Sequence, residues 1–256
     1  MKLVAVTPTL FASKRWSAPK SYAIAANDAL ATLVIQEIPK AVMTMPVAFV
    51  PQGNEFNLAA VQGLQQGKNL FVGADGLWKH GYIPACYRAF PFSVASTENG
   101  ERVLCFDQDS QLLTDNDGQG FYEADGTLTE SVKKIADFLA QVLQNRVPTR
   151  QICDLLQQHN LIQPWPITLK TDRGEQAVNG FFRIDESALR QLSADALQQL
   201  NEAGALGIAY FQLLSTHNMQ KLVDMATADA LSAQVKKPSV ADLISHDSGT
   251  IDLSFL

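Results

Sequence analysis

Cations, cysteine and long apolar runs are all scarce in this chain, and each scarcity removes a class of function. Of 256 residues, 20 are Lys or Arg and 26 are Asp or Glu, a net charge of −6. A surface that tracks phosphates needs clustered cations. The basic pairs Lys14-Arg15, Lys133-Lys134 and Lys236-Lys237 stand far apart, so nucleic acid is not an expected partner. The cysteines Cys86, Cys105 and Cys153 are odd in number, widely spaced and set among apolar residues. They read as reduced, buried thiols of a cytoplasmic protein rather than a disulfide framework. No uncharged apolar stretch approaches the roughly 18–20 residues of a membrane span. The opening MKLVAVTPTLFASKRW, broken at Pro8, has neither the apolar run nor the small-residue cleavage site of a secretory signal.

Local catalytic and ligand motifs are absent too. His80, His159, His217 and His246 form no His-x-x-x-His or His-x-Asp pair, and no metal site is expected from spacing. Asp115-Asn116-Asp117-Gly118 looks like the middle of a calcium loop. Aligning Gly118 at the sixth position places Leu113 and Ala124 where the loop needs carboxylates. The glycines sit singly in turns, with no phosphate cradle and no nucleophile elbow, so no cofactor is expected. Ser215 and His217 lie two apart on a helical stretch and face different ways. Cys86 near His80 has the apolar neighbours Ile83, Ala85 and Ala89, the setting of an inert thiol.

What is present is enough apolar residue, 46% of the chain, for one sizeable core. Before residue 127, short apolar runs (Leu33–Ile35, Val47–Val50, Val103–Phe106) alternate with turn residues, which is strand-and-turn spacing. After it, Thr127 and Glu130 make a capping box. Val132, Ile135, Ala136, Leu139, Val142 and Leu143 then form a helical stripe that Pro148 should end. Thr149 can open a shorter helix through Ile152, Leu155 and Leu156. Trp165–Leu169 and Gly180–Ile184 read as strands. A long helical region follows from Leu189 to Val223, interrupted near Gly204. The fold class expected is α+β: a β-rich part over 1–126, a mainly helical part over 127–235 packed on it, and a tail over 236–256 that docks, if at all, through Leu253, Phe255 and Leu256.

The β-rich part carries signs of an internal repeat near 31–77 and 78–126. Ile38-Pro39 precedes Pro46 as Ile83-Pro84 precedes Pro91, Asn54 and Asn99 keep that register, and Phe71–Gly76 is echoed by Phe121–Gly126. Each unit would run from a Pro-opened turn through a hairpin to an Asp-Gly turn. Asn69–Phe92 spans the seam and concentrates the recognition chemistry. Arg88 lies beside Tyr87, Phe90, Tyr82 and Trp78, where a guanidinium can stack on rings and grip a carboxylate. Trp78, His80, Tyr87 and Arg88 have no counterparts in the first copy, where Met43 stands in place of Arg88. The rings read equally as core, and Arg88 equally as the internal partner of Glu37 or Asp107.

The same block carries a resemblance. Asn69-Leu70-Phe71-Val72, Asp75-Gly76-x-Trp78 and Tyr82-Ile83-Pro84-Ala85-x-x-Arg88-x-Phe90-Pro91-Phe92 resemble the signature of the SapC family of bacterial proteins. Glu37-Ile38-Pro39, Pro46-Val47-Ala48-Phe49, Asp125-Gly126 and Gly204–Leu222 extend the likeness nearly end to end. Met45 replaces a usual aromatic, and Tyr87-Arg88 replaces an Arg-Arg pair. The resemblance implies an association with surface layers by name, although no export signal is seen. It also implies gene neighbours such as flavin-dependent halogenases, cupin-like oxygenases and TonB-dependent receptors, and it supplies no catalytic residues. The expectation is a non-catalytic binding or accessory protein in a modification or uptake pathway. Arg88, Trp78, Tyr87, Tyr82 and His80 would hold a peptide, an amino-acid-like ligand or a partner protein. The alternatives are an enzyme with a site assembled from Glu37, Asp75, His80 and Arg88, and a surface-layer structural subunit.

Overall fold

A computed structural model describes residues 2–171 and 174–234; the tail contacts expected at Leu253, Phe255 and Leu256 lie outside them. The N-terminal half contains β1 (Leu3–Ala5), α1 (Pro8–Phe11), β2 (Arg15–Trp16), β3 (Leu30–Thr32), α2 (Ile38–Ala41), β4 (Val47–Gln52) and β5 (Glu55–Val61). It continues with α3 (Ala85–Arg88), β6 (Phe92–Ser96), β7 (Arg102–Asp107), β8 (Leu113–Thr114) and β9 (Gln119–Gly120). The second half opens with α4 (Glu130–Gln158) and adds β10 (Ile162–Pro164), β11 (Ile167–Thr171), β12 (Gly174–Val178) and β13 (Phe182–Ile184). It closes with α5 (Glu186–Arg190), α6 (Ala194–Glu202), α7 (Ala205–Ser215) and α8 (Asn218–Gln234). The fold is α+β.

Two hairpins organise the first half. The β4–β5 hairpin carries β3 on the far side of β5, and the β6–β7 hairpin carries β1 on the far side of β7, all antiparallel. Each hairpin leads to the same turn. Asp75 Oδ1 accepts from Leu77 N–H at 3.0 Å, and Asp125 Oδ1 accepts from Thr127 N–H at 2.9 Å. Gly76 and Gly126 follow with φ of 76° and 82°, a region open to glycine without a Cβ clash. The turns are closed by bridges between Val72 and Trp78 and between Tyr122 and Leu128.

The first hairpin sheet is larger, because β13 pairs with β4 and β10 pairs with β13. Helix α7 seals this junction with polar side chains. Buried Gln212 donates to Val47 C=O at 2.9 Å and accepts from Ile184 N–H at 2.9 Å, while Ser215 Oγ accepts from Val47 N–H at 3.0 Å. Asn218, at the start of α8, donates to Val42 C=O at 2.7 Å. These bonds satisfy backbone groups that burial would otherwise orphan.

The core has two clusters. The larger contains Ile38, Met45, Phe49, Leu58, Leu156 and Ile184. The smaller is built on Phe11, Trp16, Phe92, Phe106 and Phe121, whose rings meet edge-on or tilted at 4.8–6.0 Å, the geometry that ring quadrupoles favour.

Several sequence expectations need correction. Thr127 does not cap α4: its N–H and hydroxyl are held by Asp125, and the helix starts after Thr129. Nor does Pro148 end it, since α4 runs 29 residues straight through. Proline removes the N–H that would bond Gln144 C=O, and Gln144 is exposed to solvent. Thr149 Oγ1 bonds Asn145 C=O at 2.5 Å in the same turn. Leu33–Ile35 follows β3 rather than forming it, and 35–37 is a 3₁₀ turn. The strand expected over Trp165–Leu169 begins later, as β11 at Ile167, with buried Trp165 between it and β10. Cys86 is exposed; only Cys105 and Cys153 are buried.

Thr149 also ties α4 to the first half, accepting from Ile35 N–H at 3.0 Å. Thr149→Val keeps the shape and orphans that N–H, so it should destabilise the protein by about 1–3 kcal/mol in urea unfolding. Unchanged stability would remove this contact from the account.

Candidate functional site

The site is built on a buried carboxylate. Glu37 ends the 3₁₀ turn and is only 4% exposed. Its Oε2 accepts from Val34 N–H at 3.0 Å. Its Oε1 accepts from Ala85 N–H at 2.6 Å and from the Tyr82 hydroxyl at 3.1 Å. A buried charge is tolerable only when its lone pairs are filled, and here three donors fill them. The Pro84-Ala85 step suits this: extended Pro84 turns the free N–H of the first α3 residue toward the carboxylate.

Tyr82 passes the connection outward. Its hydroxyl accepts from an Arg88 Nη2–H at 2.9 Å. The guanidinium carbon lies 5.4 Å from the Tyr82 ring centre and 4.7 Å from that of Phe138 on α4, within cation–π range of both. Arg88 is exposed and makes no ion pair among the described residues. It reaches Glu37 only through the Tyr82 hydroxyl, and Asp107 is engaged elsewhere, by the N–H groups of Lys2 and Asp109.

Arg88 and Phe138 form the common wall of two adjoining cavities. One, about 220 Å³, is polar and lined also by Gln36, Glu37, Lys40, Tyr82 and Gln141. The other, about 240 Å³, lies against Ala89, Ile135 and Lys134. Lys134 is 3.5 Å from Glu130, whereas Lys40 has no ion pair among the described residues. A further cavity of about 330 Å³, between residues 19–24 and 107–112, does not touch Arg88.

Of the five residues singled out from sequence, the structure brings Tyr82 and Arg88 together at these cavities. Trp78 packs with Phe71, Tyr22 and Tyr87 at ring separations of 5.7–6.0 Å. Tyr87 is buried, its hydroxyl donating to Gln62 Oε1 at 2.9 Å. His80 is exposed, with its ring edge toward Phe71. Glu37, Asp75, His80 and Arg88 do not converge, because Asp75 is spent on its own turn. Phe138, Lys40, Gln36 and Gln141 went unnoticed in the sequence. Phe138 had a usable signal: it sits three residues after Ile135 and four before Val142, an aromatic flanking the helical stripe. Among the described residues no group of three or more His, Cys, Asp or Glu side chains could hold a metal, and no helix is long and apolar enough to cross a membrane.

Burial raises the Tyr82 hydroxyl well above the usual tyrosine range, with Glu37 adding to it and Arg88 opposing. Burial likewise raises Tyr87, and it pushes the Cys153 thiol up to about 12. The unfolded chain releases these protons first, so their contribution to stability is complete below the ordinary thiol pKa and fades as pH rises through the folded values. Urea unfolding should therefore show stability falling from about pH 8.5 to 11. A flat profile would contradict the burial of these groups.

The sequence pattern of the SapC family matches residues 6–222. No curated protein and no solved structure matches the chain. With the match covering most of its length, the chain belongs to the SapC family.

Proposed function

We propose that this protein is a non-catalytic binding or accessory protein, and that its Arg88 cavities hold a carboxylate-bearing ligand. The ligand is a peptide, an amino-acid-like molecule or a segment of a partner protein. One observation carries the reading: an arginine is oriented by two rings and a hydroxyl and is paired with no carboxylate among the described residues. Arginine presents paired N–H donors matched to a carboxylate, and Tyr82 uses one Nη2–H direction only. The cavities on either side of it give a ligand room to enter.

Supporting features set the context. Three free cysteines, one of them exposed, fit a reducing compartment, so the proposed location is the cytoplasm, within a modification or uptake pathway. The matched hairpins and Asp-Gly turns support descent of residues near 31–77 and 78–126 from one duplicated unit. Arg88 then marks the copy that acquired the site, since Met43 holds its place in the other.

The test is calorimetric titration of the protein with glutamate, succinate and short peptides bearing free or acidic carboxylates. Arg88→Ala should weaken the tightest probe about tenfold or more, the range for a hydrogen bond to a charged group, and Arg88→Lys should restore only part of the loss. The melting temperature should move by no more than about 4 °C. Equal affinity in the Ala variant sinks the proposal.

A further inference from the structure

The two cavities that meet at Arg88 differ in character, and that difference specifies a ligand more narrowly than a carboxylate alone. On one side the lining is polar: Gln36, Gln141, Lys40 and the occupied carboxylate of Glu37. On the other side Ala89, Ile135 and the Phe138 ring make an apolar recess, with Lys134 at its edge. Arg88 and Phe138 belong to both. An anion on the guanidinium therefore has an apolar hollow to one side and amide groups to the other.

Building on the carboxylate-binding reading above, we infer that the ligand is a carboxylate with an apolar group on the adjoining carbon. That is the chemistry of a peptide C-terminus ending in an aliphatic or aromatic residue, or of a small N-acylated amino acid. In such a molecule the carboxylate, side chain and amide all leave one carbon atom. The carboxylate accepts from Arg88, the side chain enters the recess against Ile135 and Phe138, and the amide turns toward Gln36 and Gln141. Lys40 adds positive charge on the amide side, where Glu37 offsets it, and Lys134 at the edge of the apolar side is already paired with Glu130. An internal aspartate fits less well, because its carboxylate stands on a side chain while the apolar groups of its neighbours leave from other carbons. The recess, at about 240 Å³, has room for an aliphatic or aromatic side chain.

Titration of the full chain with a matched probe set tests this. The set is acetyl-Ala-Ala-Leu, its C-terminal amide, acetyl-Ala-Ala-Gly, N-acetyl-leucine and an amide-ended peptide with one internal Asp. The free-acid leucine peptide should bind about tenfold or more tightly than its glycine analogue, as burial of a branched aliphatic side chain predicts. It should exceed its own amide by a similar factor. N-acetyl-leucine matching the peptide supports the inference with a small acid as the source. N-acetyl-leucine binding weakly beside a tight peptide supports it with a peptide terminus. Equal binding of the leucine and glycine acids, or preference for internal Asp, overturns the apolar half and leaves the carboxylate site standing. Loss of all Arg88-dependent binding removes both.

Discussion

The carboxylate of Glu37 is the contact on which the candidate site depends. It bonds three residues earlier to Val34, and 45 and 48 residues later to Tyr82 and Ala85. These bonds fix the turn entering α2 against the turn entering α3, which are the approaches to the two hairpins. A charge at 4% exposure is costly to leave unpaired, so the three donors must stay where they are. Tyr82 is thereby held with its hydroxyl on Glu37 and its ring against the edge of the larger core, and that ring with that hydroxyl is what orients Arg88. Glu37 serves as a positioning residue: its lone pairs hold two backbone N–H groups and the Tyr82 hydroxyl, and Arg88 faces the two cavities.

The second constraint is the span of α4. Near its start Val132, Ile135 and Leu139 pack on the smaller aromatic cluster, and near its end Ile152, Cys153 and Leu156 pack in the larger one. Between Lys133 and Gln144 no residue is fully buried. The helix crosses from one core to the other with little beneath its middle, and the Arg88 cavities lie there. Passage through Pro148 is what makes this possible. A helix that stopped at that proline could not reach the larger core, and Thr149 would not meet Ile35.

The sequence made much of this legible where one local rule decides the outcome. The α4 stripe, the Asp-Gly turns, the two hairpins and the break at Gly204 all follow from periodicity or from backbone preference, and all are present. It misled where two rules compete. Proline breaks helices in isolation, yet a helix anchored in a core at each end keeps its course and leaves one carbonyl to solvent. Thr127 fits a capping box, yet Asp125 is nearer and takes its N–H first. The aromatic block was recognisable as special but not as divided. Trp78 and Tyr87 pack inward, whereas Tyr82, five residues before Tyr87, borders the cavity. Spacing along a chain full of turns does not say which way a ring points. Phe138 was hardest to see, because its significance lies in a contact across 50 residues.

What separates a structural arginine from a functional one here is a comparison of costs. An exposed cation over an aromatic ring stabilises a fold by about 0.5–1 kcal/mol, and ordering a long side chain costs a comparable amount. Arg88 thus contributes little to the fold it sits in. The residues that do stabilise the region, Glu37 and Tyr82, use their polar groups inward and leave the guanidinium with donors to spare. On the proposed function, a side chain so placed, at the shared wall of a polar and an apolar hollow, has its role in what it can bind rather than in what it holds together.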